Sequence, residues 1–374
     1  MKKRLLTLIL AAACLIGCGG RSIPDAAGNN LSSEQEYHTT EELLYAEGFT
    51  IEHFKGAELL TVMESGERLL VLDEGEDILP GIPDDCIILK KPLKNIYLVA
   101  SNTFDYFDAL GSIDSIGFSG QKPEGWHIDS AKSAMERGDI VYAGKYSAPD
   151  YELILENGCD LTIENTMIYH APEVKEKLES FGIPVIVDRS SYESHPLGRV
   201  EWVKFYGALT GKLDRAEEIF ESQVSTLEQI ETKDTGRTAA FFYVTENGLV
   251  QVRKAGDYIP KLMELAGGNY IFSDTFDDSD AKTSVNMQQE EFYAGAKDAD
   301  ILVYNNNIGS SVISLDDILE KFPLLSDFKA VKEGSVWCAG GDLYQRPMRL
   351  ATLAHDFSVI FSGSEEETEY LYRL

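Results

Sequence analysis

The sequence predicts an α/β fold of two lobes joined by a single long α-helix and enclosing one cleft. Three observations predict it: β-rich runs alternate with helical stretches or Gly-rich loops, one long stretch keeps a helical period, and the order of elements after that stretch repeats the order before it. The 357 residues beyond a leader at 1–17 also exceed one typical domain, which makes two lobes the expected arrangement.

Ahead of the alternation, Thr50 to Leu60 and Arg68 to Leu72 read as a polar-faced hairpin. Short β-rich runs then recur at Ile96 to Ala100, Ser115 to Phe118, Ile140 to Ala143, Leu161 to Asn165 and Pro184 to Asp188, which argues for a mainly parallel sheet. From Leu197 to about Thr232 the apolar residues Val200, Val203, Leu209, Leu213, Ala216, Ile219, Phe220, Val224, Leu227 and Ile230 fall mostly three or four apart. One helix of that length spans roughly 50 Å and reads as a rigid strut that limits lobe closure to a small rocking motion. Strands resume at Thr238 to Val244, Leu249 to Arg253, Ile301 to Tyr304 and Ser335 to Ala339.

The second region echoes the first three times in the same order. Tyr97 to Gly111 (strand, cap, short helix) is echoed by Val250 to Gly267, Tyr151 to Asn165 by Gln289 to Asn305, and Lys175 to Asp188 by Asp327 to Ala339. The expected organisation is a leader at 1–17, a flexible tether at 18–40, a first lobe at 41–196, a linking helix at 197–232 and a second lobe at 233–374.

Lys2, Lys3 and Arg4 precede the apolar run Leu5 to Ile16, which has the form of a secretory signal and is too short to span a bilayer. Leu15-Ile16-Gly17-Cys18 resembles a lipobox, so Cys18 is the expected lipidation site and the lipid the expected membrane contact of an extracytoplasmic protein. Cleavage before Cys18 removes three positive charges and no acidic ones, taking the formal charge from −30 to −33. Nucleic acid and anionic lipid surfaces are poor partners for such a chain. Besides the anchor cysteine only Cys86, Cys159 and Cys338 then remain, an odd set at wide spacing that implies no disulfide framework.

The pattern Pro149-Asp150-Tyr151-Glu152-Leu153-Ile154-Leu155 ahead of Cys159-Asp160-Leu161, with Leu178-Glu179-Ser180-Phe181-Gly182-Ile183-Pro184-Val185, resembles the substrate-binding proteins of ABC importers for iron-siderophores, haem and cobalamin. Leu262 to Asn269, Asp298-Ala299-Asp300-Ile301-Leu302-Val303 and Val331 to Trp337 carry the likeness into the second lobe, over about Pro92 to Ser362 in all. Cys159 and Ala299 stand where the family usually has proline. The resemblance implies Rossmann-like lobes in a class III periplasmic-binding-protein clamshell, a monomer that takes a ferric chelate, haem or corrinoid as ligand and has no intrinsic cofactor. It implies delivery to a permease dimer with its ATPase subunits. It also implies one exposed glutamate per lobe that pairs with permease arginines. Glu152 fits in the first lobe; in the second, Glu290 is favoured over Glu291 because the apolar pair that follows it matches.

Ligands of open α/β sheets bind outside the carboxyl ends of the strands. The loops there offer Ser101, Asn102, Trp126, Lys145, Tyr146 and Tyr169 in the first lobe, and Arg253, Asn305, Asn306, Tyr344, Gln345 and Arg346 in the second. Aromatic rings suit the flat face of a corrin, porphyrin or catecholate, and cations suit propionates or an anionic chelate. Arg199, at the start of the linking helix, is expected to cap that helix and make a salt bridge between lobes.

No GxxxxGK[ST], HExxH, GxSxG or CxxC motif is present, and the six histidines show no ligand spacing, so neither a catalytic nor a metal-ligand set is expected. A surface scavenging receptor or a chelate-modifying enzyme, each without an importer, is the alternative of another class.

Overall fold

The computed structural model describes residues 38–78, 82–83, 85–230, 233–276, 283–306, 312 and 314–374. The leader, Cys18 and the tether up to residue 37 lie outside them. The chain first builds a sheet of five strands, β1 (Thr39–Thr40), β2 (Phe49–Phe54), β3 (Ala57–Val62), β4 (Arg68–Leu72) and β5 (Ile87–Lys90), in sequential order. Its pairs are antiparallel except β4 with β5.

Side chains of a strand alternate between its faces. Phe49, Ile51, Leu60, Val62, Leu69 and Val71 belong to the main core, where the helix Pro196–Thr210 packs on β2 and β3. Ala57, Leu59, Leu70 and Leu72 form a second small core with Phe54, Ile82 and Cys86. Both faces are therefore covered, which corrects the expected polar-faced hairpin. β1 also takes up the last two residues of the expected tether.

The first lobe has a parallel sheet of β6 (Ile96–Leu98), β7 (Ile116–Ser119), β8 (Val141–Tyr142), β11 (Thr162–Glu164) and β12 (Val185–Val187), in the order β12-β11-β6-β7-β8. The short hairpin of β9 (Gly144–Lys145) and β10 (Ala148–Pro149) follows β8. Four helices connect the strands: α1 (Phe104–Leu110), α2 (Asp129–Arg137), α3 (Tyr151–Asn157) and α4 (Pro172–Ser180). All five expected strands are present.

The linker is helical but is not one straight helix. α5 (Pro196–Thr210) and α6 (Leu213–Glu228) pack against each other, and the chain turns at Gly211 with φ +72°. That backbone angle suits glycine, and the Gly211 amide bonds back to Ala208 and Gly207 carbonyls to close α5. Lys212 Nζ donates to the Leu110 carbonyl at 3.2 Å, placing a cation at the carboxyl end of α1. At Gly207 an added Cβ would stand 2.6 Å from Ala216 Cβ, so the two helices cross where a side chain has no room. The apolar period runs through the break because both helices bury a face, and periodicity therefore did not mark it. A strut of roughly 50 Å is replaced by α6, whose 16 residues span about 24 Å.

The second lobe carries β13 (Thr238–Val244), β14 (Val250–Arg253), β15 (Asn269–Tyr270), β16 (Ser284–Met287), β17 (Ile301–Asn305), β18 (Val336–Ala339) and β19 (Leu371–Arg373). Their order is β16-β14-β13-β17-β18-β19, with β15 also on β13. The helices are α7 (Tyr258–Leu265), α8 (Gln289–Ala296), α9 (Leu315–Lys321), α10 (Lys329–Lys332) and α11 (Leu350–Ser362).

Two of the three echoes hold as read: α3 to β11 matches α8 to β17, and α4 to β12 matches α10 to β18. The other shifts by one strand, because β14 is antiparallel to β13, whereas β13 is parallel to β15 and β17 as β6 is to β7 and β11. A matching pair of carboxylates marks the equivalence. Asp160 accepts the Lys94 amide ahead of β6 at 2.7 Å, and Asp300 accepts the Thr238 amide that opens β13 at 2.8 Å.

Candidate ligand-binding site

In the first lobe the carboxyl ends of β6, β11 and β12 meet around Asp188, which is almost fully buried. Its oxygens accept from Asn102 Nδ2 (3.0 Å), Ser190 Oγ (2.8 Å) and Tyr206 Oη (2.8 Å). Burial pushes its carboxyl upward, and those three donors oppose the shift. Asn102 also donates to Ser190 Oγ at 2.8 Å, so its amide nitrogen is committed inward. Ser101 is half-buried and Tyr169 exposed. Lys145 and Tyr146 stand apart from this group on the β9–β10 hairpin, the lysine exposed and the tyrosine half-buried. Trp126 is 1% exposed, packed on Phe104 with its indole nitrogen on Ser119 Oγ at 3.3 Å. It is a core residue of the lobe, and its expected role as a stacking face is corrected.

The second lobe gathers Arg253, Asn305 and Tyr344, three of the six expected residues. Asn305 Nδ2 donates to Tyr344 Oη at 2.6 Å, and Arg253 Nη2 donates to the same oxygen. Arg253 Nη1 lies 3.6 Å from Asp257, which also caps α7 by accepting the Ile259 amide at 3.0 Å. Tyr270 fixes the end of β14 by donating to the Arg253 carbonyl at 2.7 Å. Arg253 and Asn305 are buried and Tyr344 half-buried, so the cluster presents a braced phenol ring. Asn306 is turned to Val312, exchanging bonds of 2.7 and 3.0 Å with its amide and carbonyl.

Gln345 and Arg346 tie the lobes together, which corrects their expected place against ligand. Gln345 accepts the His127 amide and donates to the Gly125 carbonyl, both at 2.8 Å. Arg346 Nε lies 3.3 Å from Asp105 Oδ1, while Asp105 Oδ2 accepts the Met348 amide at 2.8 Å. Burial raises the Asp105 carboxyl to about 6, against the opposing Met348 amide and Arg346 charge. Arg199 also bridges the lobes, but with its guanidinium 3.7 Å from the Tyr258 ring centroid where a salt bridge was expected. His195 caps α5 by accepting the Leu197 amide at 3.1 Å. Sequence reasoning missed Asp105 and Tyr258, which lie in the first turns of α1 and α7 and find their partners only across the long-range packing of the chain.

Glu152 and Glu290 are both exposed and occupy the second residue of α3 and of α8. Two residues on, Ile154 and Phe292 are fully buried in both helices, so Glu290, and not Glu291, is the positional counterpart of Glu152. Among the described residues, no group of three or more His, Cys, Asp or Glu side chains converges to hold a metal ion, and no helix is long and apolar enough to cross a membrane.

The chain is 27% identical over 313 residues to an uncharacterized lipoprotein of Methanocaldococcus jannaschii, covering 78% of this chain and 73% of that one. It shares its fold with a periplasmic heme binding protein from Pseudomonas aeruginosa (TM-score 0.58, 15% identity, 75% of this chain and 97% of the other). It likewise shares it with an ABC-type Fe3+-hydroxamate transport system protein from Saccharomonospora viridis (TM-score 0.54, 20% identity, 73% and 94%). The family description "periplasmic binding protein" matches residues 100–342, well over half of the chain, from just after β6 through the linker to the loop after β18. The chain belongs to the periplasmic binding protein family.

Proposed function

We propose that this protein captures a ferric chelate, a siderophore complex or haem, outside the cytoplasm and delivers it to the permease of an ABC importer while anchored through Cys18. The observation that carries the reading is the pairing of Glu152 and Glu290, one exposed carboxylate at the same helical position in each of two lobes of like topology. Two separated carboxylates on rigid helix starts can fix the register of a partner that offers two cations. The relatives support the ligand class: two proteins of the same fold carry heme binding and Fe3+-hydroxamate transport in their names, and a sequence relative is named a lipoprotein.

The ligand would lie between the Asp188 group of the first lobe and the Arg253–Asn305–Tyr344 group of the second. The lobes are already joined by Asp105, Gln345 and Arg199, and closure around a ligand would be a small adjustment. Native mass spectrometry and an absorption spectrum of the protein purified from its own source test the reading. A porphyrin, ferric hydroxamate or ferric catecholate band supports it. A corrin band would move the ligand to cobalamin, and turnover of a bound chelate would replace binding with catalysis.

A further inference from the structure

The N-terminal sheet β1–β5 lies outside the matched residues 100–342, yet it is fastened to the ligand-bearing end of the first lobe. Glu67, at the start of β4, accepts Lys175 Nζ at 2.6 Å and the Val187 amide at the end of β12 at 3.1 Å. Glu64, in the β3–β4 turn, pairs with Arg189, which follows β12. From the other side Glu201 takes the amides of Leu44, Tyr45 and Ala46, and Glu193 takes those of Glu47 and Gly48. Acidic side chains buried or half-buried on backbone amides fix a position well, because the charge-assisted bonds are directional.

This fastening brings the turn beside an unusual surface. Met63 (53% exposed), Met167 (45%), Tyr169 (51%) and Tyr192 (45%) are large apolar side chains left open to solvent. Thr166 and Tyr192 hydroxyls are 2.9 Å apart, and Arg189 stacks 4.0 Å from the Tyr192 ring centroid. Tyr169 lies within electrostatic reach of Glu67, Lys175 and Tyr192, which locates it at the same seam. Arg189 is nine-tenths buried, and its Nε has no partner among the described residues. A phenol stacked on a guanidinium, with exposed thioethers and a second phenol on the segments around it, is suited to the flat face and anionic edge of an aromatic chelate. The carboxyl ends of β11 and β12, where this surface lies, are where an open α/β sheet receives its ligand.

We infer that the β3–β4 turn is a wall of the ligand site, and that Met63 with Met167, Tyr169 and Tyr192 selects for a flat, anionic, aromatic chelate. The inference rests on the chelate-binding reading above. The test is titration of the full chain with haemin, followed by Soret absorbance, for the parent, Met63→Glu, Met63→Leu, Tyr192→Ala and the second-lobe surface control Leu324→Ala. Met63→Glu and Tyr192→Ala are expected to weaken haemin at least fivefold and Met63→Leu by less than Met63→Glu, while Leu324→Ala stays within twofold of the parent. In the parent labelled at methionine methyls, haemin should broaden the Met63 and Met167 signals and leave that of Met135 on α2 sharp, a readout that loss of folding cannot mimic.

Parent binding with unchanged affinity in Met63→Glu and Tyr192→Ala overturns the inference alone. Unchanged affinity with loss of uptake would assign the surface to a protein partner and overturn it too. Absence of haemin binding by the parent, with binding of a non-aromatic ferric hydroxamate in its place, overturns the inference and leaves the chelate reading. Failure of the parent to bind any ferric chelate removes both.

Discussion

Asp105 on α1 and Arg346 in the loop after β18 form an ion pair between the two lobes, Oδ1 to Nε 3.3 Å, with Asp105 almost wholly buried. Burial outweighs the arginine, so the carboxyl titrates at about 6 in the fold, above its ordinary 3.8. An acid raised in the folded state costs stability as pH climbs through that interval, because the unfolded chain gives up its proton first. Asp105→Asn keeps an acceptor for the Met348 amide and cannot ionise. Its unfolding free energy in urea should therefore be flatter than the parent's between about pH 4 and pH 6, by on the order of 2–3 kcal/mol across the interval. A slope equal to the parent's would place the titration elsewhere.

Glu164, at the end of β11, is fully buried, and among the described residues neither of its carboxyl oxygens has a hydrogen-bond partner. Burial raises it to about 8, so it is held neutral at physiological pH. Its cost to stability grows as pH rises from 4.5 to about 8. Glu164→Leu should stabilise the protein at pH 8 by roughly 2–4 kcal/mol and by distinctly less at pH 5. Equal gains at both pH values, measured by chemical denaturation, would mean that packing and not ionisation sets the effect.

Replacing Glu152 and Glu290 together with alanine should leave ligand affinity nearly unchanged while uptake and stimulated ATP hydrolysis fall sharply. A docked arginine left without its carboxylate costs about 2–5 kcal/mol when fully desolvated. Glu291→Ala alone should behave as the parent. Parent-level uptake in the double variant, with binding intact, would reduce the two glutamates to helix-start residues.

The crossing of α5 and α6 depends on Gly207, where a Cβ would meet Ala216. Gly207→Val should force the pair apart and cost about 1–3 kcal/mol, as overpacking does. Thermal unfolding gives the comparison, with Gly207→Ala expected to lie between the parent and valine.

Cys18→Ala should leave a full-length precursor without lipid. Detergent-phase partitioning distinguishes it from the parent, and a variant that still partitions and is still cleaved ahead of residue 18 would remove the anchor from the reading.

The alternation of short apolar runs was enough to place the parallel sheet of the first lobe and β13, β14, β17 and β18 of the mixed second sheet, because strand burial writes itself as local hydrophobicity, whereas β15, β16 and β19 were passed over. The repeat from Asp160 to Asp300 was legible for the same reason: each carboxylate follows its helix by only three or four residues and stands just ahead of an apolar strand. Glu152 and Glu290 could be matched because helix starts carry local signals in composition and period. Local patterns do not say where a chain reverses within an unbroken period, and so Gly211 was passed over and one helix was expected where two pack together. Nor do they say which loop residues face across an interface. Arg346 and Gln345 read as ligand contacts and Trp126 as a stacking face, because charge, amide and ring look alike in sequence whether they meet ligand, the other lobe or the core. Only the tertiary structure set Asp105 opposite Arg346, 241 residues away along the chain, and seated the β3–β4 turn at the end of β12. Those contacts arise from long-range packing, where burial and partner geometry decide the role of a residue and its neighbours in sequence do not.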